Sequence, residues 1–265
     1  MNRSFVFTLS FLLLSAFVYA QDDVFEARWQ ASPVVADGLD SEWRQPFALF
    51  DNKSGLIFSI ANDSKNLYLC FTEKEELKTE KMMKAGWTIE LSSSEKRRKF
   101  DASISFPGVQ DANIHLRGDF TNQVSYYKSD LAGVHTKGFT GNNGDIALST
   151  SDGTSIGIGS ENDQKIVYEV VVPLKELMDE KNIQLNEVIT LGVTVNALDH
   201  PSGNNRPSSG GGMRSRGMRG GGGMRGGGGM RGGGGGSYQQ PGGQNGEMDF
   251  FEKASFKQKF HLVKQ

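Results

Sequence analysis

Pro33-Val34-Val35-Ala36-Asp37-Gly38-Leu39-Asp40-Ser41-Glu42-Trp43 is the stretch on which the reading of the fold turns. A strand-like Val34-Val35 runs into Asp37-Gly38, where glycine supplies the positive φ that a tight turn requires. Leu39 and Trp43 stand four apart, so one short helical turn puts both on the same face, against a core. Residues 165–177 have the complementary form. There the run Ile166-Val167-Tyr168-Glu169-Val170-Val171-Val172 stops at Pro173, and Leu174 and Leu177 continue at helical spacing.

Outward from these two stretches the chain reads as many short strands punctuated by turns. Residues 22–30 lead into a first strand with Val24, Phe25 and Trp29 as its apolar residues, and 47–50, 56–60 and 67–71 are apolar runs, the last nearly without a polar residue. Residues 73–84 are highly charged and read as a surface loop or a short helix. Trp87, Ile89 and Leu91 alternate with Thr88 and Glu90, and residues 100–106 return with the same alternation across a polar tip at 92–98. Between 111 and 152 the strand patterns are weak, at 113–116, 124–127 and 146–149. Residues 155–159, 168–172, 188–196 and 250–263 complete the strands, with a short helix at 175–181. The expected fold is all-β, an antiparallel β-sandwich.

Asn62-Asp63-Ser64-Lys65-Asn66, a turn running into Leu67-Tyr68-Leu69, adds a third motif to the Asp-Gly-Leu-Asp-Trp entry and the late Tyr-Glu-Val-Val-Val-Pro-Leu strand. In this order the three resemble the family 9 carbohydrate-binding modules and the related DOMON-type β-sandwiches, from about Glu26 to the C-terminus. The resemblance implies a non-catalytic module whose partner is carbohydrate, held between two loop tryptophans. Here the late loop has no tryptophan and offers only Tyr238. Trp87 is then the best single platform, although its alternation with Ile89 and Leu91 favours core packing. Trp29 is a lesser candidate, with edge-strand packing the favoured role. Calcium is also implied, with Asp37, Asp40 and Asp63 as the oxygen ligands, although no loop matches a dedicated motif. A haem-binding DOMON relative would need axial Met or His ligands, for which His115 or His135 would have to serve.

Residues 1–20 read as an export signal: Arg3, an apolar run over 5–18, and Val18-Tyr19-Ala20 as the cleavage site. The expected product is periplasmic or extracellular, with residues 21–265 forming one domain. No stretch approaches the roughly 18 apolar residues of a membrane-crossing helix. Cys70 is the only cysteine. It lies inside an apolar run and reads as a small buried residue.

A low-complexity interruption spans about 199–248, before the last strand. It repeats Met-Arg-Gly, and residues 203–246 hold six arginines and no acid. Removing those six and Arg3 from a total charge of −2 leaves the remainder near −9. Such a glycine-rich stretch has too little to bury to offset the entropy of ordering, so a disordered loop is expected. Two readings stand for Arg214, Arg216, Arg219, Arg225 and Arg231. They contact an anionic envelope polymer or surface, or the tract is an expanded surface loop, which is the favoured reading. An export signal argues against intracellular nucleic acid.

Enzymatic chemistry finds little support. There is no Gly-x-Ser-x-Gly or His-Glu-x-x-His, and the four histidines are scattered without metal-ligand spacing. The competing class is a structural or protein-interaction sandwich that has lost its sugar site.

Overall fold

The computed structural model of the chain describes residues 24–93, 99–109, 120–131, 133–141, 143–148, 153–162, 165–177, 188–198 and 251–264. The expected leader, residues 94–98 of the hairpin tip expected at 92–98, the weak strand at 113–116 and the Met-Arg-Gly tract lie outside them.

The fold is all-β in the coarse sense, with two mixed sheets and few helices. One sheet has the order β1 (Phe25–Glu26), β13 (Ala254–His261), β12 (Val188–Val195), β6 (Trp87–Ser93), β7 (Asp101–Phe106), β8 (Val134–Lys137) and β9 (Gly144–Ile146). The other runs β10 (Ser155–Glu161), β11 (Lys165–Pro173), β5 (Asn66–Glu73), β4 (Ile57–Asn62) and β2 (Arg28–Trp29), with β3 (Leu49–Phe50) also pairing β4. Pairing is antiparallel except at two edges, where β1 joins β13 and β2 joins β4 in parallel. The single strand expected at 22–30 is thus two short ones on different sheets. Ala27 is the crossing point, its N–H donating to the His261 carbonyl at 2.9 Å.

One core lies between the sheets. Trp87 stacks on Phe106 with ring centroids 4.5 Å apart, and meets Phe71 and Tyr168 of the other sheet edge-on at 5.4 and 4.9 Å. Phe58 and Phe256 bridge the sheets at 5.0 Å. In β6, residues 87, 89, 91 and 93 are buried while 88, 90 and 92 are not, as a strand with one covered face requires.

Among the described residues three helices punctuate the strands: α1 (Glu76–Ala85), α2 (Phe120–Asp130) and α3 (Leu174–Leu177). The charged segment at 73–84 is therefore mainly helix, buried through Thr79, Lys81, Met82 and Met83. The weak strand expected at 124–127 is a correction. Those residues belong to α2, which buries Phe120, Val124 and Tyr127. That spacing of four and three is helical, and it overrides a four-residue window of alternation.

Candidate functional site

Residues 33–47 lie across the outer side of β11, and a buried carboxylate holds them there. Glu169 accepts from the Trp43 indole N–H at 2.7 Å, from Gly38 N–H at 2.8 Å and from Asp37 N–H at 3.1 Å. Burial drives its pKa up to about 7, against the lowering effect of the Trp43 and Gly38 hydrogen bonds. Trp43, 5% exposed, packs with Val34, Ala36, Tyr68, Cys70, Val167 and Val171 into a second apolar cluster. Gly38 takes φ +88°, as the Asp-Gly turn requires. Leu39, expected against the core beside Trp43, is 42% exposed. Residues 41–43 form a turn, not a helical turn, with Trp43 N–H donating to the Asp40 carbonyl at 3.1 Å. The four-residue spacing therefore does not align the two side chains.

The expected calcium ligands do not fit the ion as a set. Asp40 is buried with its Oδ2 accepting from Lys165 Nζ at 2.6 Å and from Gln45 at 2.9 Å. Burial works against its charge, but bonding to Glu161, Lys165 and Gln45 outweighs it and lowers its pKa. Asp63 caps its own turn, Oδ1 accepting from Lys65 and Asn66 N–H at 2.6 Å and Oδ2 from the Tyr68 hydroxyl at 2.6 Å. Asp37 Oδ1 accepts from Leu39 N–H at 2.8 Å. Each carboxylate serves a local turn or ion pair, and no group of three or more His, Cys, Asp or Glu suited to a metal occurs among the described residues.

The aromatic candidates do not converge either. Trp87, proposed as a platform, is 0% exposed at the centre of the core and presents no ring face to a ligand. Its burial on both sides by Phe106, Phe71 and Tyr168 is the physical reason. Trp29 is half-buried on the edge strand β2. Tyr238 and the five arginines Arg214, Arg216, Arg219, Arg225 and Arg231 fall outside the described residues. Cys70 is buried, which pushes its thiol pKa well up, with Glu169 adding to the rise.

A cleft of about 510 Å³ opens instead at the end of the fold where β12 leaves and β13 enters. Its lining is Asn52, Lys53 and Ser54 from the turn before β4, then Glu75, Leu77, Lys78, Lys81 and Met82, and Val195 with Glu252, Lys253 and Ala254. Val195 and Ala254 are register partners, so the two strand ends form one apolar patch. Glu75, just before α1, and Lys78, Lys81 and Met82 within it stand at spacings of three and four, one face of a helix. Lys78 Nζ is 2.9 Å from Glu75. Lys81 is buried and its ammonium donates to the Glu252 carbonyl. Behind the cleft Glu73 is buried and its pKa is raised by that burial. Its Oε1 accepts from Lys74 and Glu75 N–H, both at 2.8 Å.

None of the cleft residues stood out in the sequence as ligand-binding. Lys78 and Lys81 sit in a segment whose charge reads as solvation, and the other contributors, at 52–54, 195 and 252–254, lie elsewhere in the chain. Only the 3–4 spacing of Lys78, Lys81 and Met82 could have drawn attention to one face. No protein-family model and no curated protein matches this chain. No helix among the described residues is long and apolar enough to cross a membrane.

Proposed function

We propose that this chain is an exported, non-catalytic β-sandwich of the family 9 carbohydrate-binding type that binds glycan or another envelope or matrix component, with the cleft as its site. One observation carries the reading. The cleft sets the exposed Leu77, over a floor of buried Met82, Val195 and Ala254, beside Asn52 and several ammonium groups. A sugar ring needs that mixture: apolar surface for its C–H face and polar groups for its hydroxyls. The two-sheet architecture and the order of the entry, Leu-Tyr and Pro-Leu motifs support the fold assignment. Titration calorimetry of the mature chain against a panel of neutral and acidic oligosaccharides tests it. Leu77 is 64% exposed, so Leu77→Asp leaves the core alone and should weaken binding by about tenfold. Saccharide binding that is indifferent to Leu77→Asp and Asn52→Ala would move the site out of the cleft.

A second reading has its own support. Trp43 and Trp87 are both buried, which removes the two-tryptophan clamp and favours a structural or protein-interaction module. In that reading the basic tract contacts anionic surfaces through Arg214 to Arg231. Its signature is binding to acidic polymers that salt weakens and that deletion of residues 210–236 abolishes.

A further inference from the structure

We propose that the cleft selects acidic saccharides, units bearing a carboxylate or sulfate, over neutral ones. This rests on the glycan-binding reading and specifies the ligand class of the same site.

The charge distribution is the first argument. Outside the tract and the leader the chain is strongly acidic, yet four lysines line this one cleft against two glutamates. Their states differ. Lys78 is balanced by Glu75 at 2.9 Å. It also runs close to Glu73, since a Cβ on Gly55 would fall 2.3 Å from Glu73 Oε2 and 2.8 Å from Lys78 Nζ. Lys81 is held at the Glu252 carbonyl, which fixes a buried ammonium at the wall. Lys53 and Lys253 are exposed and belong to no ion pair among the described residues. They come from opposite ends of the domain and meet only at this cleft. Set against Glu75 and Glu252, the four lysines leave a net of two positive charges in the cleft, with Lys53 and Lys253 as its exposed ammoniums.

Geometry narrows the ligand further. Lysines are compact point charges, suited to dispersed anionic groups rather than to the bidentate grip of a guanidinium. A volume of about 510 Å³ with the exposed Leu77 beside the charges suits a ring bearing one charge per residue. Leu77 takes the ring face, Asn52 a hydroxyl, and Lys53 and Lys253 the anionic substituent.

The test uses the mature full chain, a Lys53→Gln/Lys253→Gln double variant, and a chain lacking residues 210–236. Each is titrated with a neutral, a uronate-containing and a sulfated oligosaccharide of equal length at two salt concentrations, with thermal midpoints recorded. Both lysines are exposed, so the double variant should melt with the parent. Acidic binding is expected to exceed neutral binding, to weaken with salt, and to fall about tenfold in the double variant while neutral binding is unchanged. It should survive removal of residues 210–236. The uronate and sulfate arms distinguish the two sources of charge. Equal affinity for neutral and acidic ligands, untouched by the double variant, overturns this inference and leaves the glycan reading standing. Acidic binding lost only with residues 210–236 overturns it in favour of the tract. Binding to none of the three overturns the glycan reading itself.

Discussion

The outer sides of the two sheets are built on opposite principles. Over β11, β5 and β10 the segment 33–47 forms a lid of apolar side chains, so those strands are covered on both faces. Among the described residues no apolar cluster covers the outer side of the other sheet. There three cross-strand rows run Ser255-Thr194-Thr88-Ser105, Lys257-Gly192-Glu90-Ser103 and Lys259-Thr190-Ser92-Asp101. Every member of those rows is polar or glycine, and no aromatic group interrupts them. A strand covered on both faces has no solvent side to mark with polar residues, whereas a strand covered once must alternate. β5 and β11 accordingly read as continuous apolar runs and β6 as strict alternation. The one acid in β11, Glu169, is present because the covering segment brings three N–H donors that need an acceptor.

The covered side should be the fragile one. Trp43→Ala empties the middle of the second cluster, removes the edge-on contact with Phe47 at 6.2 Å and leaves Glu169 Oε1 without its indole donor. A loss of about 3–5 kcal/mol is expected in urea denaturation, the range for removing a large buried aromatic. On the outer side of the other sheet, Thr194→Ala should stay within about 0.5 kcal/mol. Equal effects from the two substitutions would break the contrast.

The next effect is one of pH. The Glu169 pKa rises from 4.5 to about 7 on folding, because burial disfavours the charged form. A carboxyl with a raised folded pKa contributes stability that is fully present below its unfolded pKa and is lost as pH rises through the folded one. The chain should therefore lose stability between pH 4.5 and about 7 relative to Glu169→Gln, which carries no such proton. Thermal midpoints of the two proteins across that window measure it. Parallel pH profiles would show that the ionised carboxylate is as well held as the neutral one.

This same contrast explains what was legible in the sequence. Alternation at Trp87, Ile89 and Leu91 and the closed apolar run at 67–71 name strands outright, because periodicity reports burial directly. The turn at Asp37-Gly38 was equally plain. What Leu39 faces was not, since a four-residue spacing fixes a shared face only if the backbone between is helical. α2 was hidden because its buried positions are few and lie among polar ones. The cleft was hidden for a stronger reason: Lys53, Lys78 and Lys253 become neighbours only through long-range pairing, and each alone looks like an ordinary solvated lysine. Local chemistry is readable from a single sequence; convergence is not.

The finest probe of the comparison is a pair of glycines, each on the outer face of a strand. Gly157 in β10 faces the lid, and a Cβ there would fall 2.5 Å from the Ala36 carbonyl carbon and 2.6 Å from Gly38 N. Backbone cannot swing aside as a side chain does, so the lid must lift, and Gly157→Ala should cost about 1–3 kcal/mol. Gly192 in β12 is also buried, but what lies over it is the Glu90 side chain and not a backbone segment. Its nearest obstacle is Glu90 Oε2 at 3.1 Å, the end of an exposed side chain free to rotate away. Gly192→Ala instead removes freedom from the unfolded chain and should stabilise by about 0.4–1 kcal/mol. The two substitutions, identical in chemistry, are thus expected to carry opposite signs in urea denaturation. A shared sign would mean that the lid yields as easily as a surface side chain, and that segment 33–47 is held by its three hydrogen bonds to Glu169 rather than by close packing on β10.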